Sequence, residues 1–147
     1  MLRFFSADDQ LLVEQVAVAA HLRLERLYAD GAKETHMRIA CPPLLYPCKF
    51  INFSRSKSVY DLITRRFIRA QEGENADISK YVDPDGEPYR KMVEYIRQTL
   101  DLTSLAFQRL DDLVSAIGLP KNRICTYCFD GQDVSEKCKE CPLCQKT

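Results

Sequence analysis

The sequence has 147 residues, of which 46% are hydrophobic and 29% are charged, a composition typical of one globular domain. Basic and acidic residues number 21 each, and the resulting net charge of zero argues against nucleic acid as the main partner. No apolar run reaches the roughly 18 residues that a membrane helix needs, and the acidic start does not fit a signal peptide. We therefore expect a cytoplasmic protein with neither a membrane nor a nucleic acid as its partner.

The first third of the chain predicts a helix, a strand and a loop. Ser6, followed by acidic residues, is a candidate N-cap, and Gly31 is a natural stop for the helix that it opens. Residues 35–40 resemble a short strand. The three prolines that follow forbid regular structure, so residues 41–52 are expected to form a loop.

The rest of the chain alternates helices and turns. A second helix is expected to begin at a cap provided by Ser56 or Ser58 and to end near Gly73. The D-P-D-G sequence at 83–86 indicates a turn, and a third helix is predicted over Glu87–Leu100. Residues 102–107 are predicted as a strand, and Leu110–Ile117 as a helix stopped by Gly118 and Pro120. The apolar stripes of the second and third helices predict the core, namely Val59, Leu62, Ile63 and Phe67, with Tyr89, Met92, Val93 and Ile96.

Cysteines carry the chemical information in this sequence. There are seven of them: Cys41, Cys48, Cys125, Cys128, Cys138, Cys141 and Cys144. A C-x-x-C places two thiolates on one turn, and grouped cysteines in a reducing cytosol favour metal binding over disulfides. The residues alone leave three alternatives open: a zinc ribbon of the form C-x2-C-x9-C-x2-C, an iron–sulfur centre and an unliganded tail. Zinc and iron–sulfur clusters cannot be distinguished here, because both accept four thiolates.

Other candidate residues carry weaker signals. Cys41 is expected to be buried, and His21 and His36 stand in no catalytic spacing, which favours structural roles for both. The basic segment 49–69 is a candidate site for a nucleotide phosphate, because hydroxyl and cationic side chains there precede a helix start. No phosphate-binding, zinc-protease or serine-hydrolase motif is present, so the residues predict no catalytic group.

Four segments together resemble one family of enzymes. They are G-A-K-E-T-H-M-R-I-A-C-P-P at 31–43, Y-P-C at 46–48, R-L-D-D-L-V-S-A-I-G-L-P at 109–120 and C-T-Y-C-F-D-G at 125–131. In sequence, order and rough spacing they are similar to the C-terminal part of amidophosphoribosyltransferase, over about residues 24–131. That glycosyltransferase catalyses the first committed step of purine biosynthesis, in which ammonia from glutamine displaces pyrophosphate from phosphoribosyl pyrophosphate in the presence of Mg²⁺.

The resemblance implies a fold and a domain organisation. It predicts a helix-rich α/β structure, equivalent to the C-terminal portion of a type I phosphoribosyltransferase domain with an incomplete parallel sheet. Residues 1–130 would form this partial domain, and residues 131–147 a Cys-rich tail. An incomplete sheet leaves an unpaired edge, so the chain is expected to need a partner, either a separate N-terminal half or a second copy.

The resemblance also implies a structural 4Fe–4S cluster, with Cys48, Cys125 and Cys128 at the positions of three ligands. The fourth ligand of the family lies upstream, so one of the tail cysteines is expected to replace it: Cys138, Cys141 or Cys144. The glutaminase domain and the pyrophosphate loop, roughly V-D-D-S-I-V-R-G-T-T, have no counterpart in this sequence. We therefore expect the chain alone, a gene fragment or a split subunit, to be inactive, with Mg²⁺ and phosphoribosyl pyrophosphate bound only in the complete enzyme. A small zinc-binding interaction module is the alternative.

Overall fold

The structure, a computed structural model, describes residues 24–48 and 58–132. Residues 24–29 are helical, and Gly31 follows them with a φ of 95°, which confirms the predicted end of the first helix. The further helices and strands are β1 (His36–Ile39), α1 (Ile63–Glu72), α2 (Glu87–Thr99), β2 (Ser104–Phe107), α3 (Leu110–Ile117) and α4 (Tyr127–Asp130), with 3-10 turns at Val59–Asp61, Ile78–Tyr81 and Lys121–Arg123. Within the described ranges, no helix is long and apolar enough to cross a membrane.

Several predictions fall on residues that the structure does not describe. They concern the caps at Ser6 and Ser56, the role of His21, the first part of the basic segment 49–69, and the tail cysteines Cys138, Cys141 and Cys144.

The two strands form a parallel pair, as expected for an α/β fold. Residue His36 lies opposite Ser104, and Ile39 lies opposite Phe107. Helices α1 and α2 make the crossover between the strands, and α2 packs against β2. Both strands are shorter than predicted. Leu102, the first residue of the predicted second strand, lies before β2 and is buried, with 1% of its surface exposed.

The core lies where α1 and α2 pack together. Phe67 and Ile68 from α1 meet Met92 and Ile96 from α2, and none of the four is more than 5% exposed. The core predictions for Phe67, Met92 and Ile96 are thereby confirmed. Tyr81 and Leu45 complete the buried cluster, and Leu45 comes from the proline-rich loop.

Helix α1 begins later than the cap signal predicts. Ser58 does act as a cap, and it forms a capping box with Asp61, but the element that it opens is the short 3-10 turn. Leu62 then adopts an extended conformation, with a ψ of 123°, which ends the turn and makes Ile63 the first residue of α1. The predicted end at Gly73 is confirmed.

An arginine on α2, held by a carboxylate of the same helix, connects α2 to the segment that leads into β2. Arg97 donates two hydrogen bonds of 2.7 Å to Glu94 and a third to the carbonyl of Leu102. Gln98 donates a further hydrogen bond to Glu94 at 2.7 Å. The hydrogen bonds from Arg97 and then from Gln98 lower the pKa of Glu94 to about 2.

This lowered pKa predicts a component of acid sensitivity. The stability contributed by Glu94 is fully present above pH 4.5, its ordinary pKa, and is lost as the pH falls towards about 2. We expect the free energy of unfolding of Glu94→Gln to depend less steeply on pH across that interval than that of the wild type. Urea denaturation at a series of pH values measures both slopes, and equal slopes would contradict the prediction.

Candidate metal centre

The proline-rich loop 42–48 is anchored to α1 by a buried side chain and by hydrogen bonds. The side chain of Leu45 is 1% exposed and belongs to the core. The hydroxyl of the buried Thr64 donates a hydrogen bond to the carbonyl of Leu44. Arg65 approaches the carbonyl of Leu45 at 3.5 Å. Helix α1 therefore fixes the backbone that leads to Cys48.

The same loop is held by α4 on its other side. The amides of Leu45 and Tyr46 both donate to the carbonyl of Cys128, at 2.9 and 3.1 Å. The ring of Tyr46 packs against that of Tyr127, with centroids 5.6 Å apart and planes inclined at 47°. These contacts place the Y-P-C segment beside the C-x-x-C segment, although their cysteines Cys48 and Cys128 are 80 residues apart in the sequence.

Two of the sequence-predicted ligands, Cys48 and Cys128, are neighbours in the structure. Cys48 lies close enough to Cys128 to affect its pKa through charge and hydrogen bonding, and Cys125 acts on Cys128 through charge. Cys48 and Cys128 are partly buried, whereas Cys125 is exposed. Burial first, and then the charge and hydrogen bond of Cys48, raise the pKa of Cys128 to about 11. A metal that binds here must therefore displace a proton from Cys128.

A buried acid stabilises the turn that carries the C-x-x-C. The side chain of Asp130 is 5% exposed, and it accepts hydrogen bonds of 3.0 and 3.1 Å from the hydroxyl of the buried Thr126. The amide of Gln132 donates to the same carboxylate at 3.0 Å, and the amine of Lys121 lies 3.8 Å away. The sequence analysis did not identify Thr126 and Asp130. Their spacing of four residues, on either side of Cys128, is the pattern that could have indicated this contact.

The described residues do not by themselves form a metal site. Within 24–48 and 58–132, no three His, Cys, Asp or Glu side chains form a group that could hold a metal ion. Cys41 is partly exposed and not buried as predicted. His36 is hydrogen-bonded to Ser104 at 2.9 Å and to Glu34 at 3.2 Å, contacts that fit the structural role predicted for it.

The fold and the proximity of Cys48 to Cys128 thus define an α/β protein with a candidate cysteine-based metal centre. Comparison with known proteins relates the chain to one enzyme family. The chain is 33% identical over 114 residues to the amidophosphoribosyltransferase of Mycobacterium tuberculosis, which is 77% of this chain and 18% of that enzyme. It is 30% identical over 101 residues to that of Methanothermobacter thermautotrophicus, covering 69% of this chain and 16% of the enzyme. It is 32% identical over 124 residues to the chloroplastic enzyme of Glycine max, covering 84% of this chain and 17% of the enzyme.

These matches confirm the resemblance that the four sequence segments indicated: the chain is similar to one segment of amidophosphoribosyltransferases. It spans between 16 and 18% of the length of these curated relatives. No protein-family model matches the chain, and no solved structure does.

Proposed function

We propose that this chain is the cysteine-bearing segment of an amidophosphoribosyltransferase and that it holds a structural 4Fe–4S cluster through Cys48, Cys125 and Cys128. The observation that carries the proposal is the docking of the loop 42–48 on α4 through the carbonyl of Cys128. It makes neighbours of Cys48 and Cys128, two of the three cysteines to which the resemblance assigns the cluster. A tail cysteine supplies the fourth thiolate: Cys138, Cys141 or Cys144.

The chemistry of the described thiols fits this cofactor. Iron–sulfur clusters are held by cysteine thiolates, and burial together with outer hydrogen bonds orients such ligands. Cys48 and Cys128 are partly buried, and the Thr126–Asp130 hydrogen bonds stabilise the turn that contains Cys128. Cys125 is exposed, so a fourth ligand can approach from its side. The bound cluster would supply structural cross-linking between the loop 42–48 and α4, and hence folding free energy.

The role proposed for the chain is structural, within a type I phosphoribosyltransferase domain. The parallel pairing of β1 and β2 across a helical crossover supports that fold. Transfer of the phosphoribosyl group needs a pyrophosphate loop, for which this sequence has no counterpart. Synthesis of phosphoribosylamine in the cytoplasm, with Mg²⁺ and phosphoribosyl pyrophosphate bound, would then require the remainder of the enzyme.

A zinc ribbon is the second candidate. The spacing C-x2-C-x9-C-x2-C favours one zinc ion held by Cys125, Cys128, Cys138 and Cys141, in a module that binds a partner. This arrangement leaves Cys48 without a role. The contact between Cys48 and Cys128 therefore favours the cluster.

Metal content and the visible spectrum of anaerobically purified chain test the proposal. We expect absorbance near about 400 nm and about four irons per chain after reconstitution with iron and sulfide. Colourless protein with about one zinc per chain would support the zinc ribbon instead. A chain that retains neither metal after reconstitution would contradict both candidates.

A further inference from the structure

Two glycines end helices in the same backbone conformation but in different surroundings. Gly118 follows α3 with a φ of 73°, and Gly131 follows α4 with a φ of 72°. A Cβ atom added to Gly118 would meet nothing within 4 Å. A Cβ atom added to Gly131 would lie 2.7 Å from Cζ, 2.9 Å from Cε2 and 3.0 Å from Oη of Tyr46. Gly131 is therefore needed for a close approach as well as for its positive φ.

The ring that occupies this space is coupled to a predicted ligand. Tyr46 packs against Tyr127 and the core, and its amide donates to the carbonyl of Cys128. Only Pro47 separates it from Cys48, and the fixed φ of proline makes this connection stiff. The position of Tyr46 therefore restricts the backbone that leads to Cys48.

We propose that Tyr46 and Gly131 are positioning residues for the thiol pair. The missing side chain of Gly131 leaves the space into which the ring of Tyr46 closes, and this closure holds the thiol of Cys48 against that of Cys128. The relevance of the pair to a metal rests on the proposed function. The positioning itself is a property of the metal-free chain and is testable there.

The decisive comparison is between Gly131→Ala and Gly118→Ala. Both substitutions place a Cβ atom at a left-handed helix end, so they share the cost of the backbone conformation. Only the first one reaches Tyr46. The readout is the rate at which oxidised glutathione converts the thiols of Cys48 and Cys128 in metal-free chain into one disulfide, while the reagent is reduced to two thiols. Peptide mass spectrometry quantifies the linked Cys48–Cys128 peptides.

We expect Gly131→Ala to slow this cross-linking about tenfold, equivalent to about 1.4 kcal/mol of activation free energy, and Gly118→Ala to leave it close to the wild-type rate. Equal slowing by both substitutions would show that backbone strain alone is responsible and would overturn the proposal. Circular dichroism of each variant shows that the comparison is made on folded protein.

Substitutions of Tyr46 test the other half of the contact. Tyr46→Phe keeps the ring and is expected to cross-link like the wild type, whereas Tyr46→Leu is expected to be slow. Adding Gly131→Ala to Tyr46→Leu should cause no further loss, because the steric clash needs the ring. Additive losses in the double variant would overturn the proposal.

Iron content, measured on the same variants, separates the two proposals. If Gly131→Ala slows cross-linking but the wild type binds no metal, the positioning role stands and the proposed function fails. If the wild type binds iron while cross-linking is the same in Gly131→Ala and wild type, the proposed function stands and the positioning role is overturned.

Discussion

Replacing Cys48 by serine is expected to abolish binding of the iron–sulfur cluster, and Cys128→Ser is expected to do the same. Serine offers no thiolate at neutral pH, and iron–sulfur clusters depend on soft sulfur ligands. Cys48 is also the one proposed ligand that comes from the loop 42–48, so its loss disconnects that loop from the cluster. Iron content and absorbance near about 400 nm after anaerobic reconstitution measure the effect.

Cys41→Ser is the matched control for this prediction. Cys41 lies in the same proline-rich segment, seven residues before Cys48, and is partly exposed as Cys48 is. The family resemblance assigns it no ligand role, so Cys41→Ser is expected to keep its iron. Equal iron in Cys48→Ser and Cys41→Ser would remove Cys48 from the ligand set. Retention of one zinc per chain by Cys48→Ser would then support the ribbon.

The tail cysteines complete this series of variants. If one of them supplies the fourth thiolate, a single serine substitution among Cys138, Cys141 and Cys144 should lower the iron content sharply, while the other two leave it nearly unchanged. A chain that keeps its iron in all three variants would exclude a tail ligand. Equal, partial losses in all three would indicate that the tail cysteines substitute for one another.

Elements with local signals at both ends were predicted well from the sequence. The bounds of α3 were predicted as observed, because Gly118 in a left-handed conformation and Pro120 stop the helix by local chemistry. The start of α2 was likewise predicted from the D-P-D-G turn, and Pro88 lies in its first turn, a position that favours proline. The cap at Ser58 was misassigned because a capping box opens a 3-10 turn as readily as an α-helix.

The candidate site depends on contacts that no local pattern encodes. Leu45 sits in a proline-rich loop with no periodicity, yet it is a core residue. The pairing of Cys48 with Cys128 arises because the carbonyl of Cys128 accepts two amides of that loop. Residue spacing suggested a C-x-x-C ligand pair, but the inclusion of Cys48 came only from the family resemblance. Tertiary packing of segments 80 residues apart explains why the sequence pattern alone did not place Cys48 beside Cys128.

Met92→Ala is expected to destabilise the metal-free chain by about 2–5 kcal/mol. Met92 is 0% exposed and lies in the buried cluster with Ile68 and Ile96. Truncation removes apolar contacts and leaves a cavity between α1 and α2 that packed neighbours fill only partly. Domains are commonly stable by only about 5–15 kcal/mol, so this loss is a large fraction of the total.

Met37→Ala makes the same chemical change at a partly exposed position on β1 and serves as the control. We expect Met37→Ala to lower the free energy of unfolding by about 1 kcal/mol or less, because a partly exposed side chain loses fewer packing contacts on truncation. Urea denaturation of both variants without metal gives the comparison, because bound metal would add its own stabilisation. Equal losses of unfolding free energy in Met92→Ala and Met37→Ala would mean that α1 and α2 do not pack tightly around Met92. The loop residue Leu45 shares this cluster with Met92, so the core that stabilises the fold also anchors the loop that leads to Cys48.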